Sequence, residues 1–555
     1  MMRTANTPTA VTALLAITLL AGCNAPKATP EKQVTKGWLR DITSQTDVAT
    51  YSFPMPKDRP LTLLQTIGNG CALADFNNDG NLDLLVIGAP VALYNGDGKL
   101  GFKSSKALLP ATKLTPQGCA VGDIDNDGDL DVYITGYRTG YLWRNTGNGF
   151  EDVTAVSGIP VQPWGTSAAF ADIDLDGKTD LIIANYVAYN PEKGTRERCD
   201  FRSPSGTTVL GACGPREYVP LQAAVFRNTN GLRFTDITKT AGIKTSGRGL
   251  GIAALDINQN GKVRIAIAND ESPGDLLAVE STKPLKIANV GARSGTAYDM
   301  DGKVHGGMGV DWGDFDNDGQ FDLAVATFET EPMSLYHSDG PDLFSDVSVP
   351  SNTAFPTRSL VTFGLRMVDI DNDGLLDIIT TNGHVMDNVQ DIKPKSVFKQ
   401  PSQLLRNIDG KRFEDATPLA GSAFMMPIVG RGLAVGDINN DGRPDVVTID
   451  SFGGVHIYAN EHATSGAWIG LKLIGTKSTR DGSGAIVTIK AGGKTFVRHA
   501  HTDGSYMSSS DGRVIMGLGQ VSGSIDVSIR WPSGITQQLK QQPLGSYITV
   551  TEGAK

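Results

Sequence analysis

Apolar residues along the chain come in short runs, each bounded by polar, glycine-rich loops. "LLVIGA", "VYITG", "LIIANY", "IAIAN", "LAVAT", "IITTNG" and "VVTID" each follow a polar loop, and a small or apolar run such as "GCAVG" or "GLAVG" precedes it. Further along come "LYNGDG", "LWRNTG", "VFRNTN" and "LLRNIDG", then "FEDVT", "FTDIT" and "FEDAT". This is strand, loop, strand, turn, strand at a recurring spacing, with almost no helical periodicity.

Seven loops align: "DFNNDGNLD" at Asp75, "DIDNDGDLD" at Asp123, "DIDLDGKTD" at Asp172, "DINQNGKVR" at Asp256, "DFDNDGQFD" at Asp314, "DIDNDGLLD" at Asp369 and "DINNDGRPD" at Asp437. Their starts lie 48, 49, 84, 58, 55 and 68 residues apart. A base period near 50 suits a four-stranded propeller blade. A β-helix would want shorter periods. Seven blades can close into a ring, which removes exposed sheet edges. "WLRDIT", Trp38 to Thr43, resembles the "FEDVT" strand but precedes the first loop. It is expected to complete the last blade. After Asn460, runs such as "AWIGLKLIG", "GAIVTIKAGG" and "SIDVSIRWPSG" alternate with tight turns.

The expected fold class is all-β: a seven-bladed β-propeller over 37–462, then a small, separate β-sandwich over 463–555. Insertions that break the period are expected near 188–221, 271–305 and 384–402, projecting from one face as sites for binding.

The chain has 555 residues and a formal charge of −10, which disfavours nucleic-acid partners. The acid is concentrated in the loops, which points to cations rather than general solubility. At the start, Arg3 and the apolar run "VTALLAITLLAG" lead into "LAGC", Leu20 to Cys23. Residues 1–22 therefore read as a signal peptide, and Cys23 as a lipidation site resembling a bacterial lipobox. Asn24, where an Asp would retain the protein at the inner membrane, points to the outer membrane of a bacterial envelope. Residues 23–36 form a polar tether. Cys199 and Cys213, 14 apart in the first insertion, are expected to form a disulfide, as an exported chain permits. Cys71 and Cys119 sit four residues before neighbouring loops, as a pair or as buried thiols, with thiols favoured.

A hard cation such as Ca²⁺ takes six to eight oxygens. A D-x-D-x-D-G-x-x-D loop offers side chains from places 1, 3, 5 and 9 and a carbonyl from place 7. The expected ligands are Asp75, Asn77, Asp79, Asn81 and Asp83 in the first loop, and Asp123, Asp125, Asp127, Asp129 and Asp131 in the second. The third offers Asp172, Asp174, Asp176, Lys178 and Asp180, and the fifth Asp314, Asp316, Asp318, Gln320 and Asp322. The sixth offers Asp369, Asp371, Asp373, Leu375 and Asp377, and the seventh Asp437, Asn439, Asp441, Arg443 and Asp445. An EF-hand needs a Glu at place 12; here that place holds Val86, Ile134, Ile183, Val325, Thr380 or Thr448. These are β-hairpin loops, and about six Ca²⁺ are expected. Magnesium is disfavoured by its demand for octahedral, hydrated sites. Loss of Arg3 with residues 1–22 takes the charge from −10 to −11, and six dications add +12 to leave +1. In the fourth loop Asn258 and Asn260 are neutral and Arg264 stands at place 9. Its guanidinium is expected to replace the ion, bonding Asp256 and nearby carbonyls.

The loops with their "FEDVT"-like strands resemble the FG-GAP/VCBS repeats of integrin α-chain propellers. "GTAYDMDGKVHGGMGVDWGDFDNDGQFDLAVATF" and "CDFRSPSGTTVLGACGP" resemble bacterial proteins related to cartilage acidic protein, and "GSYMSSSDGRVIMGLG" with "VSIRWPSG" resembles their terminal ASPIC/UnbV domain. The resemblance implies calcium in the hairpins and leaves the activity open.

His499 and His501 share one side of a predicted strand, read as a solvated face rather than a metal site. His384 and Asp387, in "TNGHVMD", read as loop hydrogen-bonding residues. The basic run "RERCDFR", with Arg196, Arg198 and Arg202, reads as a solvated loop that could meet an anion. No G-x-S-x-G, P-loop or H-E-x-x-H motif occurs, and no catalytic residue is assigned. The leading expectation is a calcium-stabilised, surface-anchored, non-enzymatic scaffold for a protein or glycan. A secreted carbohydrate-active enzyme and an assembly accessory of an envelope complex are the alternatives.

Overall fold

In a computed structural model, which describes residues 37–112, 115–463 and 466–554, the period of the loops becomes a ring. Cys23 and the 23–36 tether lie outside the described residues. Seven four-stranded antiparallel sheets follow one another, here called blades 1 to 7. Blade 2 is typical: Pro116–Gly122, Asp131–Gly136, Thr139–Asn145 and Phe150–Asp152. The first strands of successive blades lie side by side around the centre, and Cys71–Ala74 of blade 1 meets Gly430–Gly436 of blade 7. Leu39–Asp41 pairs with Val455–Asn460 as the outer strand of blade 7, so the two ends of the propeller close the ring. Apolar side chains from facing sheets fill the gaps between blades. Ile182 and Val225 of blade 3, for example, pack with Ile252 and Ile265 of blade 4. Each such side chain contributes about 1.5–3 kcal/mol by leaving water.

The first and third insertions lie where the spacing places them, between second and third strands: Asp180–Asn185 and Ala224–Asn228 flank one, Asp377–Asn382 and Gln403–Asn407 the other. The first holds the hairpin Arg198–Arg202 with Thr208–Ala212, bridged by the Cys199–Cys213 disulfide. The second expectation, 271–305, is corrected. Asp275–Thr282 and Leu285–Asn289 are the outer strands of blade 4, and the added segment follows them. These strands lack the "RN" and "FEDVT" marks that identify their counterparts. Cys71 and Cys119 are free and buried, and burial pushes the Cys71 thiol up to about 12.

The C-terminal domain has two sheets. Val514–Gly519, Ala467–Ile474 and Tyr547–Thr551 form one, with its last two strands parallel. Lys494–His499, Ile486–Ala491, Ile525–Arg530 and Thr536–Gln542 form the other. Ile469, Val487, Ile489, Val527 and Trp531 pack between them. Propeller and sandwich pack together as one compact unit. The chain from Ala500 to Asp511 leaves the sandwich and enters the centre of the ring.

Candidate metal centres and the filled channel

Each loop joins the first strand of a blade to its second. Two residues per loop carry positive φ: place 4, from 52° at Gln259 to 59° at Asn126 and Asn317, and the place-6 glycine. Glycine takes this conformation freely, and Asn is the side chain that tolerates it best, which explains the repeated "NDG". The place-1 carboxylate accepts the amides of places 5 and 6, as Asp123 does from Asp127 and Gly128 at 3.2 and 2.9 Å. The place-9 carboxylate spans the blade. Asp131 accepts the place-2 amide of Ile124 at 2.9 Å and the third-strand amide of Asn145 at 2.8 Å. Asp83, Asp180, Asp322, Asp377 and Asp445 repeat this brace. Place 9 is therefore a strut as well as a candidate ligand.

The structure brings together Asp123, Asp125 and Asp127; Asp172, Asp174 and Asp180; Asp314, Asp316 and Asp322; and Asp369, Asp371 and Asp377, each set with oxygens within 4.8 Å of one another. At place 3, Asp125 Oδ1, Asp174 Oδ1 and Asn439 Oδ1 are buried without a hydrogen-bond partner. Such orphaned acceptors are costly in a dry site, and a bound cation would satisfy them. Burial, then neighbouring acids, raises Asp123 and Asp131 to about 7 and 8. Burial likewise raises Asp369 to about 8, with Asp373 the next cause. These oxygen sets fit a hard dication.

Place 4 does work that the ligand pattern does not reveal. Its amide reaches the place-6 carbonyl of the next blade: Asn126 to Gly177 at 2.9 Å, Gln259 to Gly319 at 3.0 Å, Asn317 to Gly374 at 2.9 Å and Asn372 to Gly442 at 3.0 Å. Asn440 to Gly80, at 3.4 Å, closes the circle. The third-strand Asn145, Asn228, Asn407 and Asn460 reach back to the place-2 carbonyls of the preceding blades at 2.7–2.8 Å. The loops thus form a belt around the ring, interrupted between blades 3 and 4, where place 4 is Leu175 and carries no such amide.

Blade 4 corrects one expectation. Arg264 does not bond Asp256, which instead accepts the amides of Asn260 and Gly261. The guanidinium pairs with Asp342 of blade 5 at 2.7 and 2.8 Å and donates to the place-7 carbonyl of Lys262 at 3.0 Å. Asn258 shares Asp342 at 2.8 Å. The loop carries its own ion pair, with the acid supplied across the blade boundary. Arg264→Ala is expected to destabilise the fold by about 2–3 kcal/mol, because it strands Asp342 beside neutral Asn258. Urea denaturation would show this, and a loss below about 0.5 kcal/mol would refute it.

Sequence reasoning missed the second site altogether. Gly504 to Asp511 fills the central channel. Ser505 pairs with Val310 through both backbone groups, at 2.7 and 3.2 Å. The Cys119 amide donates to the Met507 carbonyl at 3.1 Å, and the Ser509 amide donates to Cys71 at 2.9 Å. Ser167 Oγ accepts the Met507 amide, Ser505 Oγ accepts the Leu365 amide and Ser510 Oγ accepts the Val435 amide. The plug therefore bonds the innermost strands of blades 1, 2, 3, 5, 6 and 7, and Gly504 bonds Ile252 of blade 4. Room for it comes from one position per blade, five residues before each loop: Gly70, Gly118, Ser167, Gly251, Gly309, Gly364 and Gly432. A Cβ on Gly70 would stand 1.8 Å from the Met507 carbonyl oxygen.

The plug is anchored by buried charge. Arg366 reaches Asp311 at 3.3 Å, the Asp503 carbonyl and His501 Nε2 at 3.0 Å. His501 Nδ1 faces Asp503 at 3.2 Å, and His499 stacks on His501 with centroids 3.8 Å apart. The solvated-face reading of this pair is thus corrected. Burial first, then nearby cationic or histidine groups, holds both imidazoles well below their ordinary range. The domain also sits on the loop belt. Arg513 bonds Asn440 at 2.6 Å, Arg480 donates its amide to Asn126 at 2.8 Å and Tyr547 donates to Asp437 at 2.7 Å.

On the opposite face the other candidates are structural. His384 Nδ1 accepts the Met386 amide, and its ring faces Glu329, which Lys393 and Ser396 also bond. Asp387 bonds Arg59 and the Leu61 amide. Arg196 pairs with Asp200, Arg198 with Asp58, and Arg202 bonds Gly206 and Thr208.

Comparison with known proteins agrees with this architecture. The model of FG-GAP-like repeats matches residues 75–134, 123–183 and 314–380, and the ASPIC and UnbV model matches 475–555. The chain is a β-propeller of FG-GAP-like repeats that ends in an ASPIC and UnbV domain. No curated protein matches it in sequence. Similar solved structures include an Agrocybe aegerita lectin recognising non-reducing terminal N-acetylglucosamine, at 15% identity and TM-score 0.39, covering 63% of this chain and 79% of that one. The complex of BBS1N with ARL6DN soaked with lead follows at 10% identity and TM-score 0.41, covering 78% and 99%. The Dos1 propeller has 11% identity and TM-score 0.35, covering 69% and 77%.

Proposed function

We propose that the protein is a calcium-loaded, non-enzymatic binding scaffold, held at a bacterial outer membrane by lipid on Cys23. The observation that carries the scaffold reading is the filled channel. The centre of a propeller is a natural pocket for a small ligand; here the chain's own backbone occupies it, and the sandwich covers part of the loop face. That leaves the opposite face, with the disulfide-bridged hairpin and the 384–402 segment, to meet a protein or a glycan. Exposed Leu210 and Val219 lie in the first insertion and Val397 in the other. Calcium in the six acidic loops would hold the belt rigid and keep that face in register.

The test is binding to glycan and protein arrays with and without chelator, followed by turnover assays on every hit. Calcium-dependent binding without turnover is the expected result. Conversion of a bound glycan would overturn the scaffold reading in favour of a carbohydrate-active enzyme.

A further inference from the structure

The six acidic loops are not equivalent, and the difference comes from the third strand. In blade 2 Arg144 lies across the loop, 2.7 Å from Asp125 and 3.1 Å from Asp127. Arg227 does the same to Asp174 and Asp176 at 2.6 and 3.2 Å, and Arg406 to Asp371 and Asp373 at 2.6 and 3.3 Å. The register is common to all three. Each arginine follows the residue paired with place 10 of its loop: Trp143 with Val132, Phe226 with Leu181, Leu405 with Ile378. In blade 5 Tyr336 pairs with Leu323, and the next residue is His337.

This exchange changes the chemistry of the site. A guanidinium is permanently charged and offers only donors, so it competes with a metal ion for the carboxylates. A neutral imidazole offers a lone pair and becomes a ligand. His337 Nε2 stands 3.2 Å from Asp316 Oδ2 and 3.8 Å from Asp318 Oδ2. Around a tetrahedral ion with bonds near 2.1 Å, ligand atoms stand roughly 3.4 Å apart, and these two separations bracket that spacing. The other ring nitrogen, Nδ1, lies 3.2 Å from Asp339 Oδ1, and Ser345 Oγ donates to the second oxygen of that carboxylate. A carboxylate on the far nitrogen of a histidine is the usual support for a zinc ligand, because it fixes both tautomer and ring direction. The side chains of Asp316, Asp318 and His337 are 21–32% exposed, so the position is open to solvent.

We propose that blade 5 binds a transition-metal dication of the zinc class through Asp316, Asp318 and His337, with Asp339 orienting the ring. The arginine blades, lacking a nitrogen ligand, hold only calcium. One imidazole with two carboxylates suits Zn²⁺, which such sites prefer to Mn²⁺. The inference rests on the reading of the loops as cation sites, but it concerns a different ion: zinc takes Asp316 and Asp318 of the fifth loop together with His337 and displaces calcium there.

The experiment titrates the purified full chain with Zn²⁺ in millimolar Ca²⁺, measuring both metals by equilibrium dialysis and mass spectrometry, and records the visible absorption of Co²⁺ in parallel. One tightly held Zn²⁺ per chain is expected. His337→Arg, which installs the residue of the sister blades, is expected to weaken it more than about 100-fold, and Asp339→Asn about 10- to 100-fold. His337→Gln, neutral and similar in size, is a second variant in case the arginine perturbs folding; its calcium count and melting temperature report integrity. Equal zinc affinity in the wild type and both His337 variants overturns the proposal. Zinc bound through His337 with no calcium elsewhere would uphold it while sinking the calcium reading.

Discussion

Replacing Met507 with aspartate is expected to destabilise the protein by more than about 4 kcal/mol, the range of a charge buried without a partner. Met507 is fully buried at the centre of the ring. Its amide and carbonyl are committed to Ser167 and Cys119, so the plug cannot rotate the new carboxylate outward without breaking its own hydrogen bonds. Gly70 and Gly118 close on it from two sides, with the Cβ position of Gly118 only 2.9 Å from Met507 Cβ. Met507→Leu keeps volume and apolarity and is expected to cost less than about 1.5 kcal/mol. Because the plug bonds every blade, propeller and sandwich should unfold in one transition. Urea denaturation followed by tryptophan fluorescence tests both points. The proposed role of the plug is wrong if Met507→Asp costs under about 1 kcal/mol, or if the propeller keeps its wild-type midpoint while the sandwich melts alone.

The plug also shows where sequence reading stops. The loops, their period and the closing strand at Leu39–Asp41 are legible because each is local: a turn needs its glycine, and a strand shows its alternation. The same holds for the positive φ at Asn78 and Asn126, written as "NDG". Blade 4 is harder. Val279 and Ile287 pack like their counterparts, yet "DLLAVEST" and "LKIAN" carry none of the marker residues, so the outer strands read as an insertion. Long-range roles are not written locally at all. Nothing near Arg264 announces that its partner is Asp342, 78 residues away. A small residue stands five places before every loop, from Gly70 to Gly432, but its reason lies in Gly504 to Asp511, whose apolar and hydroxyl side chains look like an ordinary turn. His499 and His501 are opaque for the same cause: alternation gives the side of a strand, not what covers it.

Chelating the metal is expected to lower the melting temperature by more than about 10 °C at pH 7.5, relative to 1 mM Ca²⁺. An ion held at a hundred times its Kd adds about 2.7 kcal/mol, and six sites make this large even for a chain of this size. The pH dependence distinguishes a direct role from an indirect one. Without metal, burial raises Asp83 to about 7 and Asp131 to about 8 from an ordinary value of 3.8, with Asp123, Asp314 and Asp369 raised to about 7, 7 and 8. A group with a raised carboxyl pKa binds its proton more tightly folded than unfolded. Its contribution is complete below the ordinary carboxylate range and is lost as pH rises through about 7 to 8. The chelated protein should therefore become less stable from pH 5.5 to pH 8. Calcium favours the ionised carboxylates and competes with those protons, so the loaded protein should be nearly flat over the same range and the gap between the two should narrow on acidification. Calorimetry at three pH values with and without chelator measures this. Coincident curves at pH 7.5 would remove calcium from the stability of the belt, and a constant gap across pH would mean that the buried carboxylates of places 1 and 9 are not where the ion acts.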